Sequence, residues 1–289
     1  MSRALYVYPN VSGIPQRGGL SDRWKLAKEL DCNYIEVPAD FIKNKTEVKK
    51  TGLNLGELLT EKAVLDLYKK DSLVDPSLRY ILHTEPSLSR NDGYGISNQA
   101  PLRWYDDKWV SEFINMLLVL ARFLGSSPAI IEIHPGDKRN SFENLLCAAA
   151  CIKNRFKDEF RIEPGVFIEN RTGQFISSGR DILGFWEFLC KNHHDLLKGV
   201  GVILDVQQLY TVTKEDFLQE FGLIPLESIK GVHIHYRHRC PDLSNEIPWN
   251  VVFAKLQSLK DDLIINTEIH HKNKVKDAIG FCEMMFNSV

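Results

Sequence analysis

Hydrophobic positions along the chain fall into two recurring patterns. Short apolar runs occur at ALYVYP, NYIEVP, RYILHTEP, AIIEIHPG, GVFIEN, GVILDV, GVHIHY and LIINTEIH. Between them lie longer stretches in which apolar residues return every three or four positions, the period of an amphipathic helix. The clearest covers 106–125, DDKWVSEFINMLLVLARFLG, and closes on Gly125. SFENLLCAAACIKNRF opens on Ser141 with Glu143 and Asn144 in its first turn, the composition of a capped helix start. RDILGFWEFLCKNHHDLL and VVFAKLQSL fill later gaps in the same way. Eight strands separated by helices predict a parallel sheet with crossover helices. The count predicts a closed (β/α)8 TIM barrel of the α/β class, with 1–289 as a single domain. The alternative, an open doubly wound sheet, lacks the GxGxxG that would follow its first strand. The longest irregular segment, 86–105, follows the third run, on the face where barrel enzymes carry their active-site loops.

Composition narrows the function classes only slightly. The chain of 289 residues is 44% hydrophobic and 26% charged, as in a soluble globular protein. No apolar run approaches the ~18 residues of a membrane span, so no membrane partner is expected. MSRALYVYPN lacks the apolar core of a signal peptide. Six cysteines are scattered without a CxxC pair, which argues for free thiols and a cytoplasmic location rather than a disulfide framework. A net charge of −2 gives no support for a large basic surface, yet leaves a local basic groove open. Amphipathic outer helices leave the oligomeric state open.

The chemistry lies at the ends of the apolar runs. In a barrel the C-terminal strand ends converge on one rim. The third run gives His83, the fourth His134, the fifth Glu169, the sixth Asp205, the seventh His233 and His235, and the eighth Glu268. His233 and His235, two apart, point to the same face of their strand. A lone His or carboxylate at a strand end is ordinarily a hydrogen-bonded or ion-paired structural residue. Three carboxylates converging in one low-dielectric mouth repel each other, and neutral imidazoles do not cancel that charge. Arg171 and Arg237 are the exceptions to a scarcity of cations nearby. A divalent cation resolves the repulsion, and mixed imidazole–carboxylate donors suit zinc, manganese or iron better than magnesium or calcium.

These residues resemble the endonuclease IV and xylose isomerase-like superfamily of TIM barrels over nearly the whole chain. IEIHPGD and IENRTGQF are closer to the endonuclease IV branch, whose motifs read HPG and E-N-T-A-G-Q. The resemblance implies one metal on His83, His134 and Glu169, and another on Glu169, Asp205, His233 and Glu268, one or two per chain. The second set also resembles the Glu-Asp-His-Glu site of sugar epimerases, and Glu36 resembles a glutamate common in the superfamily. Two features depart from the branch. Gln208 stands where a third-metal histidine is found, and NEIPW, around Glu246, stands in place of D-R-H. His235 and His238 are available as substitute ligands.

Three readings follow. The first is an endonuclease IV-like hydrolase of phosphoesters, on damaged DNA or a small phosphorylated substrate. In it Arg171, Arg237 and Arg239 would contact phosphate, and Tyr94, Trp104, Tyr105 and Trp249 would stack on a base or ring unless they are packed over the barrel mouth. The second is a metal-dependent sugar isomerase or epimerase in which Glu169 and Glu268 shuttle a proton. The third is a non-catalytic divergent member. Glu169, Glu268, His235 and Arg237 form the candidate catalytic set. The discriminating geometry is whether both His83 and His134 reach Glu169.

Overall fold

The computed structural model describes residues 3–9, 19–39, 49, 52–53, 57–63, 79–84, 102–269 and 271–288. All eight apolar runs form strands: β1 Ala4–Tyr8, β2 Tyr34–Pro38, β3 Arg79–His83, β4 Ile130–Ile133, β5 Gly165–Glu169, β6 Val200–Asp205, β7 Ile229–His233 and β8 Leu263–Asn266. Each pairs in parallel with its sequence neighbours, and β1 also pairs with β8, closing the barrel in the order β1 to β8. The expected (β/α)8 architecture is the observed one.

Helices among the described residues are α1 Gly19–Glu29, α2 Asp107–Leu124, α3 Phe142–Phe160, α4 Gly179–Asn192, α5 Val206–Thr213, α6 Phe217–Leu223, α7 Trp249–Gln257 and α8 Val275–Ser288. Their ends follow local chemistry. The Asp106 side chain accepts from the Trp109 N–H at the start of α2, and Gly125 ends that helix in the left-handed region at φ 76°. Ser141 accepts from the Asn144 N–H at the start of α3, as its sequence predicts. No helix among the described residues is long and apolar enough to cross a membrane.

Two apolar clusters divide the core. The larger lies between barrel and helices; the smaller fills the barrel itself with Val7, Tyr34, Ile81, Ile130, Phe167, Ile203 and Ile264. Side chains two apart on a strand share a face, so these interior residues define the inward parity of their strands. A Cβ at Gly231, on β7, would lie 2.6 Å from Ile203 Cδ1, so this position is kept bare for the neighbouring side chain. One step up the inward parity, the lining changes from apolar to charged.

Candidate metal centre

Counting two residues on from Tyr34, Ile81, Ile130, Phe167, Ile203 and Ile264 gives Glu36, His83, Glu132, Glu169, Asp205 and Asn266. His134 lies two beyond Glu132. His233 and His235 continue the inward face of β7, and Glu268 follows Asn266. All but Glu268 are buried, so five carboxylates and four imidazoles converge with little water to screen them.

Both His83 and His134 reach Glu169. His83 Nε2 lies 3.1 Å from His134 Nε2 and 3.1 Å from Glu169 Oε2, and His134 Nε2 is 3.3 Å from the same oxygen. Donors bound at about 2.1 Å to one ion stand about 3.0 Å apart at octahedral and about 3.4 Å at tetrahedral angles. The triangle therefore has the dimensions of one face of a coordination shell. The His83 Nδ1–H donates to Glu36 Oε1 at 2.6 Å, which leaves a lone pair on Nε2 facing the triangle. Asn266 Nδ2 donates to the other Glu36 oxygen at 3.0 Å, while Asn266 Oδ1 accepts from the Glu268 N–H. One side chain thus ties β2, β3 and the end of β8 together.

A second group adjoins the first. Asp205, His233 and Glu268 each bring a ligand atom within 4.8 Å of the others, and so do Glu132, Glu169 and His233. His233 Nδ1 is 3.5 Å from Glu268 Oε2 and 3.7 Å from Glu169 Oε1. Its Nε2 is 3.0 Å from Glu132 Oε1 without hydrogen-bond alignment. Among the described residues, Glu132 Oε1, His134 Nδ1, Glu169 Oε1, both His233 nitrogens and Glu268 Oε2 are buried and lack hydrogen-bond partners. So many orphaned polar atoms in one place fit a cation as their common partner.

His235 is differently placed. Its Nδ1 accepts the His238 backbone N–H at 3.1 Å, which places a proton on Nε2; that N–H donates to Asp205 Oδ2 at 3.4 Å and lies 2.9 Å from Glu268 Oε2 without hydrogen-bond alignment. The ring stacks on His238 at 4.7 Å between centroids, and His238 and Glu268 complete a third group of ligand atoms. Because Nε2 holds the proton, this group is better suited to orienting the Asp205 carboxylate than to binding a cation. The backbone is left-handed at Arg237 and His238, in the turn between the bridged Tyr236 and Arg239, and at Glu268 after β8, with φ of 51°, 56° and 35°.

The two family-like motifs act as clamps. Asn170, fully buried, donates from Nδ2 to the Asp205 carbonyl at 3.1 Å and accepts the Asp205 N–H on Oδ1 at 2.8 Å. The Gln174 side-chain Oε1 accepts from the Gly136 N–H at 2.6 Å, and the Gly136 main-chain carbonyl accepts from the Phe175 N–H at 2.9 Å. Gly136 has φ of 80°, and a Cβ there would lie 2.5 Å from Asn140 Nδ2. The loop after β5 is thereby fixed to the ends of β4 and β6, aligning His134, Glu169 and Asp205. Trp104 Nε1 donates to the His134 carbonyl at 2.9 Å, adding a fourth anchor.

Protonation mirrors the crowding. Burial lowers the His83 imidazole, but the Glu132 and Glu36 carboxylates outweigh it and hold it well above its ordinary value. His233 behaves alike, burial being outweighed by Glu132 and Glu169. Burial, with help from the Glu132 charge, pushes the Glu169 carboxyl up to about 8 against the pull of His233 and His83. Burial and the neighbouring His83 and Arg171 charges drive His134 well below its ordinary value. Burial raises Glu268, but His235 and His233 overcome it and hold the carboxyl well below the usual range. Protons on His83, His233 and Glu169 occupy the lone pairs a cation would use.

Other expected site residues fall outside the cluster. Arg237 is exposed, with its guanidinium 5.1 Å from the Tyr236 ring centroid. Arg239 is exposed and Arg171 half-buried. Trp104 and Trp249 are packed, at 2% and 1% exposure, rather than available for stacking; Trp249 opens α7 and is not in a loop. Tyr105 is exposed, and Tyr94 lies outside the described residues. Gln208 begins no third site: its Oε1 accepts from the Thr172 N–H at 3.3 Å, and its own N–H donates at 2.8 Å to Oδ1 of Asp205, the cap of α5. Reading only the last polar residue of each run missed Glu132 and Asn266, which the two-residue alternation would have found.

No protein-family model matches the chain, and no curated protein matches it in sequence. Solved structures do match in shape. An AP endonuclease, family 2, from Brucella melitensis aligns with a TM-score of 0.56 at 12% identity, over 98% of this chain and 99% of that one. A D-tagatose 3-epimerase-like protein aligns at 0.56 and 13% identity over 100% and 99%, and an L-ribulose 3-epimerase at 0.55 and 14% over 99% and 95%. The fold is that of the AP endonuclease and xylose isomerase-like barrels. At these identities the likeness concerns architecture, and the site must speak for the chemistry.

Proposed function

We propose that the chain is a divalent-metal-dependent hydrolase of a phosphoester, with two cation positions bridged by Glu169. The triangle of His83, His134 and Glu169 carries this reading, because an epimerase-type centre on Glu169, Asp205, His233 and Glu268 does not require two histidines aimed at the same carboxylate. Divalent ions, zinc or manganese before iron, would supply Lewis acidity toward phosphate oxygen and a water of lowered pKa.

The chain's own residues do the rest. Glu36 and Asn266 hold His83 in the tautomer that presents Nε2 inward. The clamps from Asn170 and Gln174 fix Asp205 and the HPG turn, so ligands need not reorganise during reaction. His235 Nε2–H, bonded to Asp205 Oδ2 and 2.9 Å from Glu268 Oε2, would orient the Asp205 carboxylate and donate toward a leaving oxygen. Arg237 and Arg239, both exposed, are cations that would meet phosphate beyond the cluster.

A second reading, keto-sugar isomerisation or epimerisation, has its own support. Glu169 and Glu268 flank His233, and one is pushed toward protonation while the other is held ionised, the disposition of an acid–base pair. Metal analysis of protein purified without chelators, followed by assay, separates the two. About two ions per chain with turnover of an abasic duplex or an aryl phosphodiester supports the hydrolase. About one ion with turnover of keto-sugars replaces it with the isomerase. No bound ion after reconstitution refutes both.

A further inference from the structure

Glu132 belongs to neither of the two cation positions proposed above. It lies on β4, two residues before His134, deeper in the barrel and 1% exposed. Its Oε1 stands 3.0 Å from His233 Nε2 and 3.7 Å from His83 Nε2. That oxygen, Glu169 Oε1 and His233 Nε2 are each buried without a hydrogen-bond partner among the described residues. A carboxylate buried this deeply with an oxygen left unbonded is costly unless a cation shares it. We propose that Glu132, Glu169 and His233 form an inner cation position below the rim, suited by its two carboxylates to a hard divalent ion such as Mn²⁺.

The inner position shares Glu169 and His233 with the centre proposed above, and to that extent rests on it. A neutral imidazole offers one lone pair. His233 therefore serves either the Glu132 side through Nε2 or the Glu268 side through Nδ1. The ring gives one ion two alternative seats, one facing Asp205 and Glu268 at the rim and one inside the barrel.

The test is Mn²⁺ stoichiometry by equilibrium dialysis and elemental analysis, with each variant's fold checked by melting in chelator. Wild type and Glu268→Gln are expected to bind the same number of ions, because loss of the outer seat leaves the inner one. The double variant Glu132→Gln/Glu268→Gln is expected to bind one fewer. Glu132→Asp in the Glu268→Gln background keeps the charge but withdraws the carboxylate by a methylene, and should lose the same ion. The inner seat is overturned if Glu268→Gln alone loses that ion, or if Glu132→Gln removes nothing further; the His83/His134/Glu169 reading survives either result. Wild-type protein that binds no Mn²⁺ overturns both.

Discussion

Asn170→Ala isolates the contribution of a single clamp. The Asn170 amide is fully buried and satisfies the Asp205 backbone in both directions, at 2.8 and 3.1 Å. Truncation removes both bonds and leaves a small void beneath the strand end. Each of the two buried groups left unpaired costs about 1–3 kcal/mol, so the variant should lose about 2–6 kcal/mol of stability. Asn170→Asp should be worse. It keeps an acceptor for the Asp205 N–H but sets a carboxylate oxygen against the Asp205 carbonyl, and adds charge to a site already crowded with carboxylates. Urea unfolding of chelated protein measures both values, and Mn²⁺ titration tests whether Asp205 still serves as a ligand. A loss below about 0.5 kcal/mol for Asn170→Ala, the range of an indifferent surface change, would refute the clamp.

Other perturbations address separate parts of the site. Gly136→Ala forces a side chain into a left-handed position and against Asn140, and should cost about 2–4 kcal/mol in urea unfolding. Glu36→Gln keeps an acceptor near His83 but removes the charge behind it, and should weaken metal affinity about 10–100-fold with the fold retained, as read by calorimetric titration. The chelated protein should lose stability as pH rises from about 6.5 through the folded values of His83, His233 and Glu169, the last about 8. The native state there holds protons the unfolded chain has released, each worth about 1.4 kcal/mol per pH unit, and saturating Mn²⁺ should flatten the slope. Urea midpoints that rise with pH in chelator would contradict the protonation scheme.

The barrel was legible because its signals are local. Eight apolar runs and capped helices at Asp106 and Ser141 depend on neighbours in sequence, and the structure realises them. The rim carboxylates and histidines were legible for the same reason, as polar residues ending apolar runs. Hidden residues act across the barrel. Asn266 connects to Glu36 over 230 positions, and Glu132 meets His233 from a strand on another side. Strand alternation marks both as inward, yet nothing local shows what an inward residue faces. The aromatic and arginine expectations depended on loop exposure, which sequence composition does not specify: Trp104 turns inward to an indole bond with His134.

Gln208 bears most directly on substrate. A histidine at that position would offer a lone pair to a third ion; the glutamine instead gives its oxygen to the Thr172 N–H, and Thr172 Oγ1 returns a bond to the Gln208 carbonyl. The start of α5 is thus tied to the loop after β5, closing the direction in which a third ion would extend the centre. Fewer cations leave less charge to neutralise a phosphate in the transition state. The proposed ligands are also set low, within the barrel and beneath a rim whose described tryptophans, Trp104 and Trp249, are packed and not offered outward. A long duplex needs exposed wedges and a basic surface, and the net charge of −2 does not supply the latter. Within the hydrolase reading, these features favour a small phosphoester that enters the mouth whole. Comparing turnover of a small phosphodiester with that of an abasic duplex, on the same metallated preparation, decides the point: faster cleavage of the duplex would place the missing contacts elsewhere on the rim.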